Sequence, residues 1–422
     1  MASDVTEWAA RTLPLPRLLE ALLEAVPQVV PGGLAERSYA EDGSVSYTFT
    51  LPAVDASAWM PLPPPTLVDL PVEILVAIMA ELGPRDRARA GRSCRALRAA
   101  ATGYPGLWRV LSLPEMINGD AHGRPDATLW ALARSPLLAH VRVLDLVDLS
   151  NASDDALAAV ISGTLVEHGA VPSRISLHGC DQAGNACAAA LARHTAPDRI
   201  IGLVLSRTAF SDAALVRLAS AWSELERLEA FDISFAPRAT CSGVAALINA
   251  ATTPVLAVLA LDRIELTALH VWQLPPTVTS LSLAHARLSP SMELSECSEW
   301  LGQMPALRNL VVDRAGFVDE AWLTSFVGPR LAPWTELGRL SLSGCPRLTP
   351  AMVSTAWSSA LANEAVTPLP ALTAVDLSRT AVDDSDVWAI AEAAGTTLTS
   401  LNVSCCTDVT GDRSARAGGI SR

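Results

Sequence analysis

LGRLSLSGCPRLTP, residues 337–350, decides the fold. Leu337, Leu340 and Leu342 set an L-x-x-L-x-L pattern, and a small residue, Cys345, follows three positions after the last leucine. The same unit recurs on both sides: IIGLVL (200–205), LEAFDI (228–233), LAVLAL (256–261), VTSLSL (278–283), LRNLVV (307–312), LTAVDL (372–377) and LTSLNV (398–403). VRVLDL (141–146) and SRISL (173–177) are looser copies. Taking the residue before the final x-L as a marker gives 144, 175, 203, 231, 259, 281, 310, 340, 375 and 401. From 144 to 401 the mean step is about 28.6 residues, a period that signals a stacked-repeat architecture.

The period has a physical reading. L-x-L places two side chains on one face of a short strand and the middle residue on the other. The rest of each unit suffices for a turn, a helix and the return. DDALAAVI (154–161), SDAALVRLASAW (211–222), TPAMVSTAW (349–357) and DSDVWAIAEAA (384–394) carry helix signals after their strands. Ser289–Pro290 and Thr349–Pro350 place a capping hydroxyl before a first-turn proline, and the pairs Asp154–Asp155 and Asp383–Asp384 suit helix N-termini, where negative charge is favoured. Three residues past the last leucine stand Leu149, Cys180, Thr208, Ala236, Ile264, Ala286, Ala315, Cys345, Thr380 and Cys406, all uncharged and mostly small. A stacked interior column selects such a set, so Cys180, Cys345 and Cys406 read as buried spacers and not ligands. Trp222, Trp300, Trp322, Trp357 and Trp388 fall in or near the helices and read as packing between helices and strands.

The strand middles define the open face: Asp145, Ser176, Val204, Asp232, Ala260, Ser282, Val311, Ser341, Asp376 and Asn402, with Asp262 and Asp313 nearby. Only Arg174 and Arg339 bring positive charge to the flanking positions. This face is small, polar and mildly acidic. Of this set, Asp145, Ser176, Asp232, Asp262, Ser282, Asp313, Ser341, Asp376 and Asn402 are the candidate substrate contacts, for a basic or neutral protein segment; the plain alternative is a merely solvated face.

Upstream of the repeats, LVDLPVEILVAIMAELGPRDRARAGRSCRALRAAATGYPGLWRVLSL (67–113) reads as helical. Pro71 opens a first helix with Ile74, Ile78 and Leu82 in a stripe that Leu75 and Met79 widen. Gly83–Pro84 stops it, and a second helical run follows over 85–101. In residues 1–66, LPRLLEALLEAV (15–26) has helical spacing, 36–51 alternates around a possible turn at Asp42–Gly43, and MPLPPP (60–65) is a stiff linker.

Composition bounds the function. The 422 residues are 50% hydrophobic and 18% charged, with mean hydropathy +0.30, ample material for a packed core. A net charge of −13 opposes a general nucleic-acid role. No apolar run approaches the roughly 20 residues of a membrane span, and MASDVTEW resembles neither a secretory signal nor a transit peptide. The expectation is a cytoplasmic or nuclear protein with no membrane partner. All 31 basic residues are arginine, a bias in keeping with GC-rich coding, which leaves no lysine for a P-loop or a Schiff base. There is no G-x-S-x-G, H-E-x-x-H or dinucleotide fingerprint, and neither the eight cysteines nor the seven histidines show metal-site spacing. No enzyme, metal or cofactor is expected.

Residues 70–111 resemble an F-box: LPVEIL, then Ile78 and Leu82, Asp86 in the turn, Cys94–Arg95, and LWRVL at 107–111. Leu97 stands where that family usually has an aromatic, and RDRARAGR is more charged than usual. The repeats resemble the cysteine-containing, ribonuclease-inhibitor-like leucine-rich repeats, as in SGCPRLT (343–349) and SCCTDVT (404–410). The order is that of the F-box/leucine-rich-repeat family. The resemblance implies an α/β solenoid, a horseshoe with parallel strands inside and helices outside, preceded by a small all-α F-box. It divides the chain into an N-terminal extension (1–66), F-box (67–113), connecting helical segment (114–140), about ten repeats (141–410) and a flexible tail (411–422). It further implies the substrate-recognition subunit of an SCF-type cullin ubiquitin ligase. The F-box would bind a Skp-type adaptor, and through it a cullin and a RING subunit, using Leu70, Pro71, Ile74, Leu75, Ile78, Leu82, Leu97, Leu107 and Trp108. About half of these, Ile78 and Leu97 above all, are expected to pack within the segment itself, with Leu70, Pro71 and Trp108 as the interface anchors. The concave face would hold a protein substrate. The other reading is a repeat scaffold whose F-box-like helices only cap the array, with no ubiquitin role. Plant receptors of this architecture hold an inositol polyphosphate on a basic cluster, which the strand positions here lack.

Overall fold

The computed structural model describes residues 34–39, 45–50, 70–113 and 125–410, the last range without 195–196, 223–224, 251–253, 268–273, 290–296, 298–299, 303, 328–334, 362–369 and 395–396. The helix expected at 15–26, the turn at Asp42–Gly43, the linker at 60–65, Pro290 and the tail lie outside these residues. The chain divides into two compact units, one of residues 1–123 with 136–142, the other of 124–135 with 143–422.

In the first unit, β1 (Leu34–Tyr39) and β2 (Val45–Thr50) form an antiparallel hairpin, Leu34 opposite Thr50 and Tyr39 opposite Val45. Three helices follow: α1 (Val72–Glu81), α2 (Pro84–Ser93) and α3 (Arg95–Gly103), then a 3-10 turn at Pro105–Trp108 and strand β3 (Val110–Ser112). The single helical run expected over 85–101 is corrected to two helices. Cys94 breaks it in an extended conformation (φ −151°, ψ 165°), and its Sγ accepts the N–H of Leu97 at 3.4 Å, starting α3 afresh.

In the second unit, α4 (Pro125–Ala133) precedes a row of three-residue strands: β4 (Val143–Asp145), β5 (Arg174–Ser176), β6 (Gly202–Val204), β7 (Ala230–Asp232) and β8 (Val258–Ala260). A short strand β9 (Glu265–Leu266) comes next, then β10 (Ser280–Ser282), β11 (Arg287–Leu288), β12 (Asn309–Val311), β13 (Arg339–Ser341), β14 (Ala374–Asp376) and β15 (Ser400–Asn402). The ten repeat strands pair in parallel with their markers level, Leu144 with Ile175, Leu203, Phe231, Leu259, Leu281, Leu310, Leu340, Val375 and Leu401 in turn. Strands β9 and β11 make a separate parallel pair. The register follows from side chains: from β4 to β14 the markers and the residues two beyond them, such as Leu146, Leu205 and Leu342, are buried, while the strand middles lie half-exposed on the other face. A one-residue slip would turn the apolar set outward.

Helices α5 (Asp154–Ser162), α6 (Asn185–Leu191), α7 (Asp212–Ala221), α8 (Cys241–Ala250), α9 (Glu320–Val327), α10 (Met352–Leu361) and α11 (Asp384–Ala394) complete the repeats, a leucine-rich-repeat solenoid. Ser153 and Ser211 cap α5 and α7 through Ala156 and Ala214. Thr349 does not cap α10. The carboxylate of Asp386, from the next repeat, accepts the N–H of Ala351 and of Ser354 instead. Cys180 and Cys345 are buried in the interior column as expected and donate their thiols to the Leu146 and Val312 carbonyls; Cys406, in the last strand's turn, donates to Leu377 but is only half-buried. Trp222, Trp300, Trp322 and Trp357 are buried, whereas Trp388 is exposed. Among the described residues no helix is long and apolar enough to cross a membrane.

Candidate functional site

Two surfaces concern function, one on each unit. In the helical segment, Leu75, Met79, Leu82, Ala90, Leu97, Ala100, Ala101, Leu107 and Trp108 form one buried cluster, with Leu70, Val76, Ala88 and Cys94 packed half-buried against it. The indole N–H of Trp108 donates to the Ala101 carbonyl at 2.7 Å. Arg87 is buried beside it, 5.5 Å from the indole ring centre. Its Nε donates to the Met79 carbonyl at 2.8 Å, and its other nitrogens to Ala80, Leu82 and Leu107. One guanidinium thus ends α1 and ties it to the turn before β3.

This geometry shows which of the expected adaptor contacts the segment packs into its own core, Ile78 and Leu97 among them as expected. Leu75, Leu82, Leu97, Leu107 and Trp108 are core residues of the segment, and Ile74 and Ile78 are also buried. Trp108 is not an exposed anchor. Helices of nine or ten residues each have too small an apolar face to stand alone, so the aromatic at the end of the motif closes their shared core. Leu70 is half-buried and Pro71 exposed. The larger apolar residues that meet solvent include Pro71, Val72, Tyr104, Pro105 and Val110, and Arg89, Arg92, Arg95 and Arg98 are exposed on α2 and α3.

On the repeats, the expected substrate positions Asp145, Ser176, Asp232, Asp262, Ser282, Asp313, Ser341, Asp376 and Asn402 are all half-buried along the open strand face. Their polar groups are largely spent on one another. Asp262 accepts the Ser282 hydroxyl and the Ala284 N–H; Asp313 accepts the Ser341 hydroxyl and the Ser343 N–H; Asp376 accepts the Asn402 amide at 2.9 Å. Asp232 accepts the Ser234 N–H. Asp262, Asp313 and Asp376 thus brace neighbouring repeats. Burial, with Asp232 and Asp313 adding like charge, raises the pKa of Asp262 above the usual carboxylate value despite its hydrogen bonds.

A second line of residues, where each chain leaves its strand, was not legible from the strand positions. At two residues past the last apolar strand position, Asp148, Arg207, Phe235, Arg263, His285, Arg314, Arg379 and Cys405 all have φ between 53° and 62°, and Gly179 and Gly344 share the column. Up to Arg379, each N–H there donates to the next repeat, as Arg207 to Ser234, Phe235 to Asp262, Arg263 to Ala284, His285 to Asp313 and Arg314 to Ser343. Arg207, Phe235, Arg263, Arg314 and Arg379 are exposed. The Arg263 guanidinium lies 5.0 Å from the Phe235 ring centre, and Phe235 meets His285 edge-on at 6.4 Å. The face is therefore not simply acidic: a basic, partly aromatic column borders it.

Residues 67–114 match the F-box-like family. The chain thus carries an F-box-like segment followed in sequence by leucine-rich repeats, as the motif order implied. A search of curated proteins returns no match. Similar solved structures include the yeast Rad7–Elc1 complex, at 15% identity, TM-score 0.42, and 70% coverage of each chain. An internalin, InlF, from Listeria monocytogenes aligns at 14% identity and TM-score 0.34, over 69% of this chain and 92% of its own. The functional domain of InlJ from the same bacterium, which includes a cysteine ladder, aligns at 15% and 0.34, over 65% of this chain and 55% of its own. The fold assignment rests on the strand register and period, not on these scores.

Proposed function

We propose that this chain is the substrate-recognition subunit of an SCF-type cullin ubiquitin ligase. Its F-box-like segment binds a Skp-type adaptor, which brings a cullin and a RING subunit, and its repeat face holds a protein substrate. The observation that carries the reading is the F-box-like match over residues 67–114 in a chain whose remainder is an array built to present a surface. The subunit itself is a receptor without catalysis, working in the cytoplasm or nucleus.

The adaptor contacts are reassigned to apolar residues that solvent reaches. Pro71 and Val72 at the start of α1 and Tyr104 and Pro105 after α3 take the place of Ile74 and Trp108. Co-purification of the full chain with a Skp-type adaptor tests this. Val72→Glu with Tyr104→Glu is expected to abolish capture while leaving the melting temperature within a few degrees of wild type. Capture undiminished by the pair rejects the mapping, and no capture by wild type rejects the ligase reading. The second reading, a repeat scaffold with helices that serve only as a cap, draws support from the sealed core around Trp108, and the same wild-type result decides between the two.

A further inference from the structure

The column at the strand exits carries an inference about what the array holds. A left-handed backbone costs a non-glycine residue on the order of 1 kcal/mol. Gly179 and Gly344 show that this column accepts the residue that avoids the cost. Arginine nevertheless stands at 207, 263, 314 and 379. The side chains, then, are not explained by the backbone.

They are also uncommitted. Among the described residues none of these four guanidiniums forms a salt bridge, although Asp232, Asp262 and Asp313 run alongside. Those carboxylates are occupied by serine hydroxyls and backbone N–H groups of their own face. Strands β6, β7, β8, β10 and β12 are consecutive neighbours. At about 4.8 Å per strand, Arg207 to Arg314 spans roughly 19 Å, the length of about six extended residues. Within that span Phe235 offers a ring face beside Arg263, and Arg314 leans over Gly344, where a Cβ would meet its Cγ at 3.0 Å. Glycine leaves that arginine its room.

We propose that this column, Arg207, Phe235, Arg263, His285 and Arg314, binds an extended acidic segment of the protein that the array recognises. The inference deepens the receptor reading above and rests on it for the identity of the ligand as a protein. It reverses the charge expected from the strand face alone. Each guanidinium offers a planar pair of donors suited to a carboxylate, and the exposed ring of Phe235 takes an apolar side chain between charged ones. The net charge of −13 disfavours long polyanions, which meet the whole molecule, more than a short acidic stretch confined to the column.

The test uses the purified full chain and a fluorescein-labelled ten-residue peptide with glutamate at alternate positions, read by anisotropy. The glutamate peptide is expected to bind saturably, more weakly as salt rises, and a lysine counterpart not at all. Arg263→Gly with Arg314→Gly is expected to weaken binding at least tenfold. Because glycine relieves the left-handed strain, the same variant keeps or gains thermal stability, so lost binding is not lost fold. Arg308→Ala, which removes an exposed arginine paired with Glu336 off the column, leaves affinity unchanged. Absent binding to wild type, equal binding to the double glycine variant, or tighter binding of a ten-nucleotide single-stranded RNA overturns the proposal. Adaptor capture by the double glycine variant stays at the wild-type level, so a failure of the column and a failure of the ligase reading are told apart.

Discussion

The carboxylate of Asp154, the first residue of α5, accepts the backbone N–H of Cys187 in the next helix at 3.0 Å. It also takes the N–H groups of Gly184 and Ala186, at 2.9 and 2.8 Å. The start of α6 is thus capped from the repeat beside it. Asp212 does the same for Thr240, just before α8, and Asp384 accepts the N–H and hydroxyl of Thr410 in the following segment.

Burial alone would raise the pKa of Asp154, but the hydrogen bonds from Gly184, Cys187 and Ala186 outweigh it and hold the carboxyl below its usual value. A depressed folded-state pKa contributes stability that is present above the unfolded pKa and lost as pH falls through the folded one. Asp154→Ala is expected to destabilise the array by about 2 kcal/mol at pH 7. Denaturant titrations at pH 7 and pH 3 check this; the gap between wild type and variant should narrow at the lower pH.

Gly163 follows α5 with an ordinary helical φ of −57°, so its need is for space. A Cβ there would lie 2.3 Å from the carbonyl oxygen of Ala133, the last residue of α4. Gly163→Ala is expected to cost about 2 kcal/mol through overpacking. Thermal melts would show it, and an unchanged midpoint would contradict the close approach.

Arg87→Lys leaves an ammonium where a planar fork now serves four carbonyls, two of them, Met79 and Leu107, on different sides of the segment. The expected loss is about 3 kcal/mol. Hydrogen exchange of the full chain would localise it, with amides of α1 to α3 losing protection and those of α5 to α7 keeping theirs.

His285 supplies a pH dependence. Burial, then the charges of Arg263 and Arg314, lower its pKa, while Asp262 and Asp313 pull the other way, and Phe235 meets its ring without charge. It is neutral at pH 7.5. An acidic ligand raises that pKa, so binding takes up a proton and affinity grows as pH falls between the bound and free values. The glutamate peptide should therefore bind more tightly at pH 5.5 than at pH 7.5, and His285→Ala should remove the gain.

The repeat strands were legible because their signal is both local and periodic. Leu340 and Leu342 share a face by the geometry of any strand, and the step of about 28.6 residues sets the stacking. The caps were only half legible: Asp154 and Asp383 stand at helix starts as expected, but which N–H groups Asp154 holds depends on the neighbour thirty residues away. The exit column was hidden for a different reason. Left-handed positions announce themselves through glycine or asparagine, and arginine at 207, 263, 314 and 379 conceals them. In the helical segment, Leu97 packs inward as expected, whereas Trp108, expected as an anchor, is buried too, because order and spacing mark an apolar residue without fixing which way it faces. The break at Cys94 carries no glycine or proline to betray it.

The thiols of Cys180 and Cys345, pushed up to about 12 by burial, stay protonated, each tied to the repeat before it. A maleimide in neutral buffer reaches neither until its own turn of the coil comes open. Labelling times read cysteine by cysteine would therefore give every such turn its own clock, and show whether the coil opens from one end or as a whole.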